Sequence, residues 1–137
     1  MPLSIHDNLL VSYEVRCEAR TIVLRTERRT ENQPTTSVNV IFNGVQAYRF
    51  ENDAFGNIIL GLESVGLDEF LTEYGTQICG SHKQAGSPGP WAVTLETASQ
   101  HLHSLETQSF ILSSTYGLSG WILAREATIS PADPHFR

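Results

Sequence analysis

A chain of 137 residues, 40% apolar and 18% charged with a formal net charge of −6, has the size for one hydrophobic core and the composition of a folded protein. No run approaches the about 20 apolar residues of a membrane span. Residues 1–20 lack the basic start and unbroken apolar core of a signal peptide, and the acidic balance disfavours nucleic-acid phosphates. One domain over residues 1–137 is expected, cytoplasmic and bound to neither membrane nor nucleic acid.

Residues 9–17 alternate, with Leu9, Val11, Tyr13, Val15 and Cys17 on one face and Ser12, Glu14 and Arg16 on the other. Glu18, Ala19 and Arg20 connect them to a second strand over Thr21–Thr26, a β-hairpin. Residues 27–37 are polar, contain a proline and read as an exposed loop. Residues 38–62 then hold three short strands, broken at Gly44 and at the turn-forming run 52–57. Their apolar rows are Val38, Val40 and Phe42; Val45, Ala47, Tyr48 and Phe50; and Ile58, Leu60 and Leu62. Because Ile59 is apolar too, the third strand is expected to be central and covered on both faces.

At Gly66–Gly75 the period changes. Leu67, Phe70, Leu71 and Tyr74 fall at i, i+3, i+4 and i+7, which predicts a helix with Asp68 and Glu69 in its first turn and Gly75 as its stop. Residues 79–90 read as a surface loop, and Trp91, Val93 and Leu95 as a short strand. A second helix is predicted over Leu95–Leu105, with Leu95, Ala98, Leu102 and Leu105 on one stripe and Thr94 as cap. Phe110–Leu112 and Trp121–Ala124, continuing to Ile129, form a closing hairpin about the glycine-rich run 113–120. Residues 130–137 read as a frayed tail. Hairpins, then helices, then a hairpin predict an α+β fold: a mainly antiparallel sheet of about six to eight strands with one or two short helices packed on it.

Candidate chemistry is sparse. His101 and His103 have the spacing of metal ligands on a strand, but on the predicted helix they stand about 200° apart and cannot converge. His6 and Asp7 are adjacent, and on extended backbone neighbours point opposite ways, so Asp7 is read as a turn residue and not as the partner of a catalytic histidine. Cys17 and Cys79 lack any C-x-x-C spacing and read as free thiols. The serines of SSTYGLSG fall in a turn, and no nucleophile-elbow, phosphate-loop or H-E-x-x-H motif is present. No catalytic residue, metal or cofactor is expected.

The charge pattern carries more. Arg16, Arg20, Arg25, Arg28 and Arg29 all lie in the first hairpin, whereas Phe50 to His82 contains no lysine or arginine. That stretch holds Glu51, Asp53, Glu63, Asp68, Glu69 and Glu73. These six, with Tyr116 and Trp121 flanking the glycine-rich turn, are the candidate partner-binding residues.

The stretches HDNLLVSYEV, VIFNGVQAYRFENDAFGNII and SSTYGLSGWILA together resemble small bacterial proteins grouped with toxin-immunity proteins and with uncharacterised β-rich domains of similar layout. The resemblance spans roughly residues 5–129 and implies a cytoplasmic β-rich domain that acts by binding. Three readings follow: a non-enzymatic protein-binding domain, such as an immunity-type inhibitor of a basic toxin; a small enzyme or small-molecule binder with a pocket between sheet and helices lined by His6, His82 or His101; and a homodimeric structural module paired through exposed strand edges.

Overall fold

The computed structural model describes residues 5–79 and 90–131. Among them, eight strands form one antiparallel sheet: β1 Leu9–Arg16, β2 Thr21–Arg28, β3 Thr36–Asn43, β4 Ala47–Glu51, β5 Ile58–Val65, β6 Gln108–Tyr116, β7 Ser119–Ala124 and β8 Glu126–Pro131. Two helices, α1 Leu67–Cys79 and α2 Leu95–Ser104, complete the α+β fold that the periodicity predicts. No helix among the described residues is long and apolar enough to cross a membrane.

The strand order is β4-β7-β6-β5-β1-β2-β3-β8, and the connections at the two ends of this row touch at one corner. Strand β3 runs into β4 through residues 44–46, and β7 runs into β8 through Arg125 alone. At that corner the Arg125 N–H donates to the Asn43 carbonyl at 3.0 Å. Gly44, at φ 65, lies so close that a Cβ on it would sit 2.8 Å from the Arg125 Cβ, so both the dihedral and the space call for glycine. The sheet therefore coils, and its halves β4-β7-β6-β5 and β1-β2-β3-β8 enclose one core. Ile22, Leu24, Val40 and Phe42 from one half meet Ile59, Leu112 and Ile122 from the other. Phe42 and Phe110 cross it edge to face at 5.4 Å.

Strands β1 and β5 join the halves through a single register pair, Leu9 with Ile58. Around it, Leu10 N–H donates to Asn57 O at 2.9 Å and Ile59 N–H to Asn8 O at 3.0 Å. Asn8 is fully buried there, and its amide donates to Thr26 Oγ1, which donates in turn to Val38 O.

Bulges overturn two faces read from the alternation. In β5 the register shifts on both sides of Ile59, so Ile59 is completely buried while Ile58 and Leu60 are 38% and 48% exposed. The strand is central in the row but is not covered on both faces. In β1 a shift between Leu10 and Ser12 turns Leu10 into the core and leaves Val11 exposed. Cys17 lies in the turn beyond β1, exposed, and both cysteines are free.

Other boundaries differ as well. Strand β2 extends to Arg28 and β3 begins at Thr36, shortening the predicted loop. The closing hairpin is β6–β7 alone, because after Arg125 the chain leaves it to pair β8 with β3. Ser130 and Pro131, expected in a frayed tail, pair with Asn39 and Val38. Trp91 lies in a 3-10 turn, Pro90–Ala92, and not in a strand. The Thr94 hydroxyl accepts from Thr97 N–H and Thr97 Oγ1 accepts from Thr94 N–H, a reciprocal cap that commits the backbone to α2.

The helices pack outside the sheet half β4-β7-β6-β5. Leu67, Phe70, Leu71 and Ile78 of α1 and Leu102 of α2 cover Ala47, Trp121 and Leu123 in a second core. Gly75 does not stop α1, which continues to Cys79. It is buried inside the helix, where a Cβ would come within 2.7 Å of Leu95 Cδ1, the tip of a half-exposed side chain of α2. The predicted loop over residues 79–90 lies almost wholly outside the described residues.

Candidate functional site

Strand register shows which way the carboxylates point. On β7, Trp121 and Leu123 face the helices, and their β4 partners Arg49 and Ala47 share that face. Glu51, two residues beyond Arg49, does likewise. Arg49 Nε holds Glu51 Oε1 at 2.6 Å. On β5, Glu63 stands opposite Ile111, which packs beneath the helices, and Glu63 itself is exposed. Helix α1 turns Leu67, Phe70, Leu71 and Ile78 inward, leaving Asp68, Glu69 and Glu73 in solvent. Asp68 accepts from, or is paired with, His103 Nε2 at 2.8 Å. Neither helix carries a lysine or arginine. Five of the six predicted carboxylates therefore lie on the helix side of one sheet half.

Asp53 stands apart, in the turn between β4 and β5. It accepts from Asn57 Nδ2 at 3.0 Å, Phe55 N–H at 3.1 Å and the Tyr13 hydroxyl at 2.8 Å. The Asn57 amide first, then the Phe55 N–H and Tyr13, hold its carboxyl below the usual range. The same bond pushes the Tyr13 phenol up, because the hydrogen-bonded phenol would lose its proton beside a carboxylate. Asp53 thus organises a turn.

Tyr116 is 60% exposed at the end of β6, opposite Ile58 and at the far end of β5 from Val65, which leads into α1. Trp121 is 5% exposed, so its expected place at a binding surface is corrected. Its ring lies edge-on to Phe70 at 5.3 Å and its Nε1–H donates to Gln77 Oε1 at 3.1 Å, both inside the second core. A tryptophan next to glycine looks surface-prone in sequence; the α1 packing that covers it comes from residues some fifty positions away.

The histidines do not gather. His6 lies at the β1–β5 seam, its Nδ1 against Leu60 O, while His101 lies by the β3–β4 corner, its Nε2 3.1 Å from Gln46 Oε1 and its ring stacked on Trp91 at 4.6 Å. His82 lies outside the described residues. His6 and Asp7 do pair, at 3.3 Å, against the expectation from extended backbone. Asp7 has φ 64, and this left-handed turn brings its side chain back to its neighbour. Burial pushes the Cys79 thiol up, away from reactive thiolate.

Of the clefts lined by described residues, two lie near the elements above, and the lining of these two contains no histidine. One, of about 530 Å³, lies between the helices over Asp68, Leu95, Glu96 and Gln100. The other, of about 320 Å³, opens at the corner between the β1–β2 turn and the start of β4, with Arg16, Arg20, Gln46 and Tyr48 around it. Sequence reasoning saw the arginines of the first hairpin but not this cleft, because the residues that complete it come from a strand segment outside the hairpin. The chain matches no family model, no curated protein and no solved structure.

Proposed function

We propose that the chain is a non-enzymatic protein-binding domain whose helix side docks a basic protein, as an immunity-type inhibitor would mask a basic toxin. The observation that carries this reading is the layer formed by α1 and α2: exposed Asp68, Glu69 and Glu73, with Glu63 beside them, and no lysine or arginine on either helix. Such an acidic helix layer steers an oppositely charged partner into encounter and penalises like-charged competitors. The hairpin arginines lie on the other half of the sheet, where Arg16 and Arg25 pair with Glu14 and Arg29 with Glu27, so they leave the helix layer's carboxylates unopposed. The resemblance of the three quoted stretches to immunity-type proteins points the same way.

The test uses the product of the reading frame adjacent to this protein's own gene, purified and titrated against it. A complex with Kd of about 1 μM or tighter, whose association slows and whose salt dependence flattens in the Glu69→Lys, Glu73→Lys double variant, supports the reading. Absence of a complex, or unchanged association kinetics in the variant, overturns it.

A further inference from the structure

We propose that the corner cleft is a binding site for a small organic oxyanion, a carboxylate or phosphate carried on a compact apolar body. The site is independent of the helix side and exists because of the sheet topology. Among the described residues, β1 beyond Leu9 has no strand partner on the side away from β2, and β4 is paired only with β7. The β1–β2 turn is tied to the residues just before β4, where Val45 N–H donates to Arg20 O at 2.9 Å. The space left between them, about 320 Å³, is the size of a small-ligand pocket.

Its chemistry is two-sided. Val15 and Val45 supply apolar wall, with the fully buried Ile22 of the inner core behind them. Arg16 and Arg20 supply guanidinium groups, and no carboxylate is among the lining residues, in a chain whose net charge is −6. Both arginines are held in place: Arg16 is ion-paired with Glu14 just outside the cleft, Nε to Oε1 at 2.9 Å and Nη2 to Oε2 at 3.4 Å, and Arg20 Nη1 donates to Val45 O at 3.3 Å. A guanidinium has five N–H donors in a rigid fork, so each retains donors suited to a planar carboxylate or a phosphate. Gln46 is oriented as well. With His101 Nε2 as donor, Gln46 Oε1 is the acceptor, which leaves the amide NH₂ as its donor toward an anion. The His101 ring is fixed in turn by its stack on Trp91. Arg20 holds φ 51, a left-handed conformation uncommon for a bulky side chain, at the lip of this cleft.

The experiment is a ¹H–¹⁵N NMR titration of the full chain with benzoate, phenyl phosphate, inorganic phosphate and benzyl alcohol. Benzoate or phenyl phosphate is expected to shift the Cys17, Thr21, Gln46 and Ala47 amides saturably, with Kd of about 1 mM or below. Which of the two binds more tightly distinguishes a carboxylate from a phosphate ligand. Inorganic phosphate and benzyl alcohol, each carrying half of the recognised chemistry, are expected to bind at least about tenfold more weakly. Arg20→Gln should raise Kd about tenfold, and Arg29→Gln should leave it unchanged. Should Arg20→Gln fail to fold, Arg16→Gln at an exposed side chain makes the same test. Shifts that do not saturate, that persist unchanged in both arginine variants, or that inorganic phosphate reproduces at equal affinity would overturn the proposal. The Glu69→Lys, Glu73→Lys variant should bind benzoate normally, which keeps this site separable from the helix-side reading.

Discussion

Asn57 Oδ1 accepts a hydrogen bond from the Leu118 backbone N–H at 2.7 Å and so ties the β4–β5 turn to the β6–β7 turn. The same oxygen takes the Ala54 N–H at 3.1 Å, and the amide nitrogen donates to Asp53. One buried side chain thus joins two turns sixty-one residues apart in sequence.

Asn57→Ala leaves the buried Leu118 N–H without its acceptor and is expected to cost about 1–3 kcal/mol. Gly117 is bound to the same arrangement: it sits at φ 96, and any Cβ there collides with Asn57 Oδ1. Gly117→Ala should therefore destabilise by at least as much. Urea unfolding checks both, and an Asn57→Ala loss within about 0.5 kcal/mol of zero would show the link to be dispensable.

Two buried or crowded glycines should respond with opposite sign. At Gly75 the obstacle to a methyl is the tip of Leu95, a flexible side chain that is 47% exposed and can rotate away. Gly75→Ala then gains helix propensity and should stabilise by up to about 1 kcal/mol. At Gly44 the positive φ and the Arg125 Cβ both resist, and neither can relax without opening the corner. Gly44→Ala should lower the thermal midpoint while Gly75→Ala raises it. A fall in both would mean that Leu95 is locked in place by packing.

Trp121→Ala removes a large buried ring from between α1 and the sheet and should cost about 3–5 kcal/mol. Trp121→Phe keeps the contact with Phe70 and loses the N–H bond to Gln77, whose oxygen still takes Arg49 Nη1 at 3.4 Å. It should cost about 1 kcal/mol. A tryptophan that acted only at an interface would show neither loss in the isolated protein.

The pair Tyr13–Asp53 makes stability depend on pH in two separate windows. The Asp53 carboxyl is lowered in the folded state, so its contribution is present above its unfolded value of about 4 and is lost as pH falls through the folded value. The Tyr13 phenol is raised, so its contribution is present below about 10 and is lost as pH rises through the folded value. Asp53→Asn should flatten the acid limb of the urea midpoint against pH, and Tyr13→Phe the alkaline limb. Identical profiles for the wild type and both variants would remove this pair from the account.

Local periodicity was enough to determine the α+β class, the existence of the strands in the first hairpin and in residues 38–62, both helices and the Thr94 cap, because each depends on side chains within a turn or two of one another. Which face a strand presents was not so determined. One bulged residue reverses every side chain beyond it, and the shifts at Val11 and Leu60 exist only because β1 and β5 must meet partners of fixed register. The clustering of Glu51, Glu63, Asp68, Glu69 and Glu73 on one side, the burial of Trp121 and the cleft between Arg20 and Gln46 were likewise decided by tertiary structure. Each joins residues brought together by chain coiling and helix packing, and no repeat period in a sequence encodes that meeting.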